Sequence, residues 1–449
     1  LPLAMDVQSQ ADGRRHALHL GNAVSLAWLA SPAGAWLRGE LRFGGPAALP
    51  AEPGLRVAGQ APTLDLGGWL ALLPESGNEQ GVTLAALDLK LDALDIMDRR
   101  FRDLRLQARN RNGILRGEVN GRDVSGALTY RPAGAQPARV SAQFSQLSIP
   151  PRPGGAEPTD KPGRTLAAER FPVLDLSVED FRLEDRPLGR LDALARGTPQ
   201  GMVIESLQLA YPDSVFHMSG LWRDGVPSET RAELRLNVLD AGKFLARFGY
   251  PDVLARGSAD FQGSASWIGS PADFAFDTLA GQIAFKAKSG QFLKVEPGAG
   301  KLLGVLSLQA LPRRLSFDFR DIFNQGYAFD EASATLRIAR GVVYSDDFQM
   351  RGPAARVSMS GLANLGQESV QLRVKVVPKL SESVAVAGAL LGGPIAGVGA
   401  LAAQKLLRDP IEEIVSQEYL VSGPWQSPDV KRLPKTKTET PSGPQMSEP

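Results

Sequence analysis

The chain has 449 residues, and its 50 Lys and Arg against 49 Asp and Glu leave a net charge of +1. This balance excludes the global positive field that nucleic-acid-binding proteins usually carry, and 43% apolar residues exclude a chain that is disordered throughout. The absence of Cys excludes disulfides, thiolate metal sites and a cysteine nucleophile. The 47 Gly and 33 Pro favour frequent turns and short strands.

Most of the chain alternates apolar and polar residues with a period of two, from residues 87–93 to residues 370–376. Successive side chains of a strand point to opposite faces, so each such segment predicts a strand with one apolar and one solvated face. One-sided strands are typical of antiparallel sheets. The apolar residues that we predict to line one face are Leu87, Leu89, Leu91, Leu104, Leu106, Val140, Phe144, Leu174, Leu176, Val178, Leu234, Leu236, Phe274, Phe276, Ile283, Phe285, Leu315, Phe317, Phe319, Leu336, Ile338, Val357, Met359, Val370, Leu372, Val374 and Val376.

Two dipeptides between strand-like segments predict tight hairpins. Asn112-Gly113 and Asn120-Gly121 are both of the type that takes positive φ angles in two-residue turns. Counting the segments between turn signals gives about 20 strands.

Helix signals are few. Asp240 predicts an N-cap for a short helix over residues 241–248. We expect further helices over residues 298–308 and after Asp409-Pro410, a cap followed by a proline in the first turn. The resulting division is an N-proximal β part (1–150), a Pro/Gly-rich loop or linker (151–164), a C-terminal β part (165–382), an apolar helical segment (383–418), a final strand (419–433) and a disordered tail (434–449).

Residues 383–404 form a run of 22 residues without a charge. As a helix this run reaches roughly 33 Å, enough to cross a hydrocarbon core, although its glycines and Pro394 weaken that interpretation. A membrane span, a helical hairpin or interfacial helix that meets a membrane, and a buried cap on the sheet are all compatible with the pattern. We favour the second of these, the helical hairpin or interfacial helix. Its predicted membrane-contacting residues are Val384, Val386, Leu390, Leu391, Ile395, Val398 and Leu401.

Sequence motifs of common enzymes do not fit the chain. There is no G-x-S-x-G nucleophile elbow. His16 and His19 approach each other if their segment is helical, but no third metal ligand is suggested nearby. Asp346 and Asp347 are neighbours that point apart on a strand, so they are not a natural acid–base pair. We therefore expect a protein that is not an enzyme, with no catalytic residues, metal or cofactor.

The pattern leaves open what covers the apolar face. A second sheet gives a sandwich with a closed core. A single long sheet curled into a trough instead keeps an apolar lining available to a hydrophobic ligand.

The C-terminal half contains a set of distinctive motifs at residues 281–304, 308–315, 318–321, 326–330, 392–394 and 419–425. Together these motifs resemble the YhdP family of the AsmA-like superfamily. The likeness is specific over residues 257–430, looser from Leu64 onward, and only general in residues 1–61 and the tail.

This resemblance implies a mainly β fold: a long curved antiparallel sheet that forms a hydrophobic, taco-like groove, with short helices near the C-terminus. It implies phospholipid transport between the inner and outer membranes of a Gram-negative envelope, in support of the outer-membrane permeability barrier. The expected location is the periplasm, with an inner-membrane anchor in an N-terminal segment missing from this chain. TamB and YdbH look like relatives.

The expected partners are phospholipids and both membranes, and no nucleic acid; a protein partner in the outer or inner membrane is left open. A non-enzymatic envelope scaffold without lipid cargo is the alternative hypothesis. A polysaccharide-acting β enzyme is disfavoured because the 30 aromatic residues are spread through the chain.

Overall fold

The computed structural model describes residues 2–65, 82–151, 172–293, 327–379 and 416–434, except residues 11, 97–98, 185, 224, 226, 272–273 and 426. The described residues form 23 strands, one α-helix and one short 3-10 turn, which confirms the mainly β prediction. The chain divides into unit 1, made of Leu1–Leu234 with Ile268–Phe274, and unit 2, made of Arg235–Trp267 with Ala275–Pro449.

In unit 1, each strand pairs with the next one along the chain. The strands are β1 (Leu3–Gln10), β2 (Gly13–Leu20), β3 (Val24–Ala30), β4 (Trp36–Phe43), β5 (Gly54–Asp65), β6 (Leu84–Ile96), β7 (Arg99–Arg111), β8 (Ile114–Asn120), β9 (Val124–Arg131), β10 (Arg139–Ile149), β11 (Val173–Leu183), β12 (Arg186–Thr198), β13 (Gly201–Tyr211) and β14 (Ser214–Arg223). β15 (Glu229–Val238) begins in unit 1 and ends in unit 2.

The expected antiparallel arrangement holds for most pairs, but three pairs in unit 1 are parallel: β4–β5, β5–β6 and β10–β11. Alternation reports which face is buried and carries no information on strand direction. The predicted loop at 151–164 lies in the connection between β10 and β11, and residues 152–164 lie outside the described residues. Because Val140 pairs with Leu174 across this connection, the sheet of unit 1 continues through the position of the loop.

One predicted hairpin is confirmed and the other is longer than predicted. Asn112 and Gly113 have φ angles of 55° and 79°, as a two-residue turn between β7 and β8 requires. β8 ends at Asn120 and β9 starts at Val124, and Gly121 does not adopt a positive φ. A three-residue connection therefore replaces the expected tight turn.

Unit 2 contains an antiparallel meander in which each strand again pairs with its successor. Its strands are β16 (Leu254–Ile268, whose last residue belongs to unit 1), β17 (Ala280–Phe292), β18 (Tyr327–Ala339), β19 (Val342–Arg351), β20 (Ala355–Asn364), β21 (Ser369–Pro378), β22 (Gln417–Pro424) and β23 (Asp429–Arg432). The predicted final strand over 419–433 thus corresponds to two strands.

The only α-helix among the described residues, α1 (Ala241–Arg247), begins where it was predicted. The Lys243 backbone N–H donates to Asp240 Oδ1 over 3.1 Å, which satisfies one of the free donors of the first turn. The predicted helices at 298–308 and after Asp409, and most of the segment 383–418, lie outside the described residues.

Candidate functional site

The strand register of unit 1 places apolar residues in continuous rows on one face of the sheet. Row one crosses β1 to β14 in order through Leu3, Leu20, Val24, Phe43, Gly59, Leu89, Leu106, Val119, Gly126, Phe144, Val178, Leu191, Leu209 and Phe216. Row two crosses the same strands through Met5, Leu18, Leu26, Leu41, Val57, Leu87, Ala108, Gly117, Leu128, Ala142, Leu176, Ala193, Leu207 and Met218. These two rows define the apolar face of unit 1.

No polar side chain interrupts either row. Thirteen steps between neighbouring strands, each about 4.8 Å, give a row about 62 Å long when measured along the sheet. The residues between the two rows point to the other face and include Asp88, Gln107, Glu118, Gln143 and Asp192. We call this other side the polar face of unit 1.

At the first parallel pair, the connection between β4 and β5 covers the polar face of the sheet. Residues 44–53 connect β4 to β5, and two hydrogen bonds hold this connection on the polar face. Ser25 Oγ donates to the Gly45 carbonyl over 2.6 Å, and the Ala48 N–H donates to Glu40 Oε2 over 2.7 Å. Glu40 is only 2% exposed. Its charge is compensated by Arg42, whose Nη2 lies 2.7 Å from Glu40 Oε1. On the apolar face of the same strands, Leu26 and its neighbours in row two keep partial exposure.

Burial varies along the apolar face. From β4 to β9 it contributes Phe43, Leu89 and Val119 to a packed cluster that also includes Leu91 and Leu104. From β9 to β14, row-two residues such as Leu128 and Leu207 are only partly buried. Val178 and Leu191, in row one on β11 and β12, are nevertheless 0% and 5% exposed, so partly exposed and fully buried apolar positions alternate along the face.

Aromatic rings lie across glycines on this face. A Cβ at Gly126 would stand 2.8 Å from Cδ1 of Phe144, its neighbour in row one. A Cβ at Gly39 would stand 2.5 Å from Cζ2 of Trp36. At Gly126 the backbone is closer still, with the Gln143 carbonyl oxygen 2.3 Å from that Cβ, so a side chain there would displace the backbone of β10 as well as the ring.

The polar face balances its charges locally. Arg190 Nε lies 2.7 Å from Asp192 Oδ2, and Ser177 Oγ donates to Asp192 Oδ1 over 2.7 Å. The hydrogen bond from Arg190, assisted by that from Ser177, lowers the pKa of Asp192. A carboxylate paired in this way suits a face that remains in water.

Unit 2 has a packed core of its own on one side of the meander. Met350, Val357 and Val376 follow one another across β19, β20 and β21 and are 1–5% exposed. Tyr327 is 1% exposed, and its hydroxyl donates to the Ala355 carbonyl over 2.9 Å. Burial raises the pKa of Tyr327 to about 12.

The predicted lining residues fall into four groups. Those that are fully buried are Leu89, Leu91, Leu104, Val178, Ile338, Val357, Val370, Val374 and Val376. Those that are partly buried are Leu87, Leu106, Val140, Phe144, Leu174, Leu176, Leu234, Leu236, Ile283, Phe285, Leu336, Met359 and Leu372. Phe274 and Phe276 are about half exposed and lie before and within the 3-10 turn Phe276–Thr278, not on a strand. Leu315, Phe317, Phe319 and the predicted membrane-contacting residues of 383–418 lie outside the described residues.

None of the predicted lining residues lies on the first five strands. The helical arrangement considered for His16 and His19 is wrong, because both lie on β2 and, three residues apart, point to opposite faces. His16 stacks on Trp28, with ring centroids 4.6 Å apart. The apolar face could have been recognised on β3 from Leu26 and Trp28, which alternate with Ala27 and Leu29. Because all four residues are apolar, the sequence shows no apolar–polar alternation there.

Two negative findings apply to the described part of the chain. No group of three His, Asp or Glu side chains there is placed to hold a metal ion. No helix there is long and apolar enough to cross a membrane.

Comparison with known proteins establishes the family. A family model described as YhdP protein matches residues 1–430. The chain belongs to the YhdP family. It is 26% identical over 398 residues to a protein of Escherichia coli (strain K12) named intermembrane phospholipid transporter YhdP. That alignment covers 86% of this chain but only 31% of the relative. No solved structure matches the chain.

The family model matches a longer part of the chain than the motifs found in the sequence. The motifs were specific over residues 257–430, whereas the family model also covers residues 1–61. This extent agrees with the structure, in which both rows of the apolar face begin on β1 and continue through the first five strands.

Proposed function

We propose that this chain carries phospholipids on the apolar face of unit 1 and takes part in their transport between the inner and outer membranes of a Gram-negative envelope. It acts in the periplasm, without catalysis, and supports the permeability barrier of the outer membrane. The observation that carries the proposal is the pair of apolar rows that no polar side chain interrupts across fourteen strands. The name of the Escherichia coli relative supports phospholipid as the cargo.

The energetics explain why such a face is needed. Exposing one 16-carbon acyl chain to water costs about 13 kcal/mol, at about 0.8 kcal/mol per CH₂. A phospholipid has two such chains, so unaided passage through water is negligible. Leu, Val and Phe side chains that keep partial exposure offer the acyl chains an apolar surface, while the headgroup stays in water.

The repetition of the rows favours movement over storage. Each strand contributes similar residues at the same level, for example Leu41, Val57 and Leu87 on three successive strands. A lipid that shifts by one strand exchanges one set of aliphatic contacts for a nearly equal one. No position then binds so tightly that the cargo stops there.

Site-specific photo-crosslinking tests the proposal with a control in the same strand. Phe144 lies in row one, and its neighbour Gln143 points to the polar face. A photoreactive residue at 144 is expected to capture phospholipid in cells, and one at 143 is not. Equal capture at both positions, or capture at neither, contradicts the proposal. Capture at neither favours the alternative, a scaffold without lipid cargo.

A further inference from the structure

Strands β7 to β10 of unit 1 carry a large local excess of positive charge. Six arginines lie on β7 and one on each of the next three strands, and none of the four strands contains a lysine. The carboxylates on these strands are Asp103 and Glu118. Because the whole chain has a net charge of only +1, the excess belongs to this part of the sheet and not to the protein as a whole.

Five of these arginines lie together on the polar face, near one end of the strands. Arg109 of β7 lies directly opposite Arg116 of β8, and Arg131 of β9 lies directly opposite Arg139 of β10. Arg111 follows Arg109 by two residues and therefore points to the same face. We call these five residues the arginine patch. Three steps between strands give the patch a length of about 14 Å, and two residues along β7 give it a width of about 7 Å.

The local charge balance of the polar face breaks down at the patch. Arg139 pairs with Asp175 over 3.0 Å. The other four arginines of the patch are exposed and have no ion-pair partner among the described residues. Like charges directly opposite each other in a sheet are unfavourable, and the patch contains two such pairs. An anion bound here would relieve this repulsion.

The surroundings of the patch favour a protein carboxylate as that anion. Guanidinium groups bind carboxylates and phosphates in bidentate geometry. The patch lies within the sheet, with six strands before it and at least four after it. These flanking strands offer little attraction to an anionic membrane, because Asp88 on β6 carries a negative charge and Arg190 on β12 is already paired with Asp192. A narrow acidic segment needs to contact only the patch.

We propose that the arginine patch binds an acidic segment of a partner protein, on the side of the sheet opposite the apolar face. This inference goes beyond the proposed function and does not depend on it. Neighbouring arginines of the patch leave the backbone about 5 to 7 Å apart. Side chains at i and i+4 of a helix are spaced by about 5–6 Å, so an acidic helix of about three turns matches both this spacing and the length of the patch.

Binding of a fluorescent peptide tests the inference with two variants of equal charge. The peptide is a helix of about three turns with Glu at i and i+4, and the same peptide with Gln in place of Glu is the uncharged reference. The patch variant carries Arg109→Gln, Arg116→Gln and Arg131→Gln. The control variant removes three exposed cations of the same part of the sheet that lie outside the patch, through Lys90→Gln, Arg105→Gln and Arg122→Gln. We expect the patch variant to bind the acidic peptide about tenfold more weakly than the parent, and the control variant to stay within about twofold.

Site-specific photo-crosslinking tests the same surface in cells. Thr129 lies between Arg116 and Ser141 on the polar face. A photoreactive residue at position 129 is expected to capture a protein through a segment rich in Asp and Glu, identified by peptide mass spectrometry, and the patch variant is expected to lose this capture. A captured segment without carboxylates overturns the inference, and so does the absence of any captured protein.

The remaining outcomes separate the patch from general charge effects and from lipid. Equal weakening by the patch and control variants overturns the inference, because net charge then decides binding. Failure of the parent to bind the acidic peptide more tightly than the uncharged one also overturns it. Vesicles of phosphatidylglycerol that bind as tightly as the peptide, and only when the patch is intact, overturn the protein partner and assign the patch to a membrane surface. Lipid capture at position 144 is expected to be the same in the parent and the patch variant, so the proposed function is judged separately.

The substituted arginines are exposed, so the patch variant is expected to unfold at the same temperature as the parent. Arg116→Gln alone, with an expected loss of about twofold, provides a milder variant. A variant with Lys at the three positions keeps the charge and is expected to bind the acidic peptide within about threefold of the parent.

Discussion

A single carboxylate placed in row two provides a sharp test of how the apolar face works. Leu128 lies on β9, partly buried, between Gly117 and Ala142 of the neighbouring strands. In Leu128→Glu, the charged group stays hydrated and holds water around the part of the lipid that passes it. The neighbouring change Ala127→Glu adds the same charge to the same strand but on the polar face.

The expected size of the effect follows from the hydrocarbon kept in water. If the carboxylate keeps about three CH₂ groups hydrated, binding weakens by about 2.4 kcal/mol at about 0.8 kcal/mol per group. At about 1.4 kcal/mol per factor of ten, this corresponds to a loss of about 50-fold. Because Leu128 is only partly buried, the cost to the free energy of unfolding is expected to be about 1 kcal/mol.

The assay is capture of labelled phosphatidylglycerol by a photoreactive residue at position 144, titrated against vesicle concentration. Leu128→Glu is expected to shift half-maximal capture by about 50-fold, and Ala127→Glu to leave it within about twofold. If the two substitutions have equal effects and both proteins are folded, the apolar face is not the surface that holds the lipid, because a charge then acts in the same way on either face.

Three further predictions concern stability. Gly126→Ala is expected to lower the free energy of unfolding by about 2 kcal/mol, because Gly126 has a φ of 151° and the new Cβ would stand 2.3 Å from the Gln143 carbonyl oxygen and 2.8 Å from Phe144 Cδ1. In denaturant melts Gly134→Ala, with nothing within 4 Å of its Cβ, is the neutral control. Tyr327→Phe is expected to cost about 1 kcal/mol near neutral pH. Burial raises the pKa of Tyr327 to about 12, so the parent is expected to lose folding free energy as the pH rises from about 10, the pKa of tyrosine in the unfolded chain, to about 12. Tyr327→Phe lacks this titrating group and is not expected to show that loss. If both proteins lose stability in parallel across this range, the assignment is contradicted. Asp240→Ala removes the cap of α1 and should cost about 1 kcal/mol, and an unchanged melting temperature would show that the cap contributes nothing.

The alternation of apolar and polar residues was sufficient to predict strands and the face they share. Leu89, Leu106, Phe144 and Val178 were assigned to one face from sequence, and the register places them in one row. The reason is physical: a period of two leaves few alternatives once one side of a strand is apolar.

The sequence did not predict features that depend on pairing between distant strands. The parallel pairs are an example, since the alternation in β10 and β11 is the same for either direction. The register also shifts locally, as at the irregularity between Phe144 and Gln146. Which residues of β9 and β10 face each other depends on such shifts, so these pairings were found only in the structure.

The N-terminal strands show a different limit. On β3, Leu26 and Trp28 belong to the apolar face, whereas Ala27 and Leu29 are buried on the other side. The connection at 44–53 covers that other side, and a strand buried on both faces loses its alternation. Alternation therefore predicts no lining residues there.

Native mass spectrometry of the chain, purified from cells without detergent, tests the central claim most directly. We expect phospholipid to copurify with the protein. We also expect Leu128→Glu to lose most of the bound phospholipid and Ala127→Glu to keep it. A folded protein that carries no phospholipid in any preparation contradicts the claim that this face holds lipid.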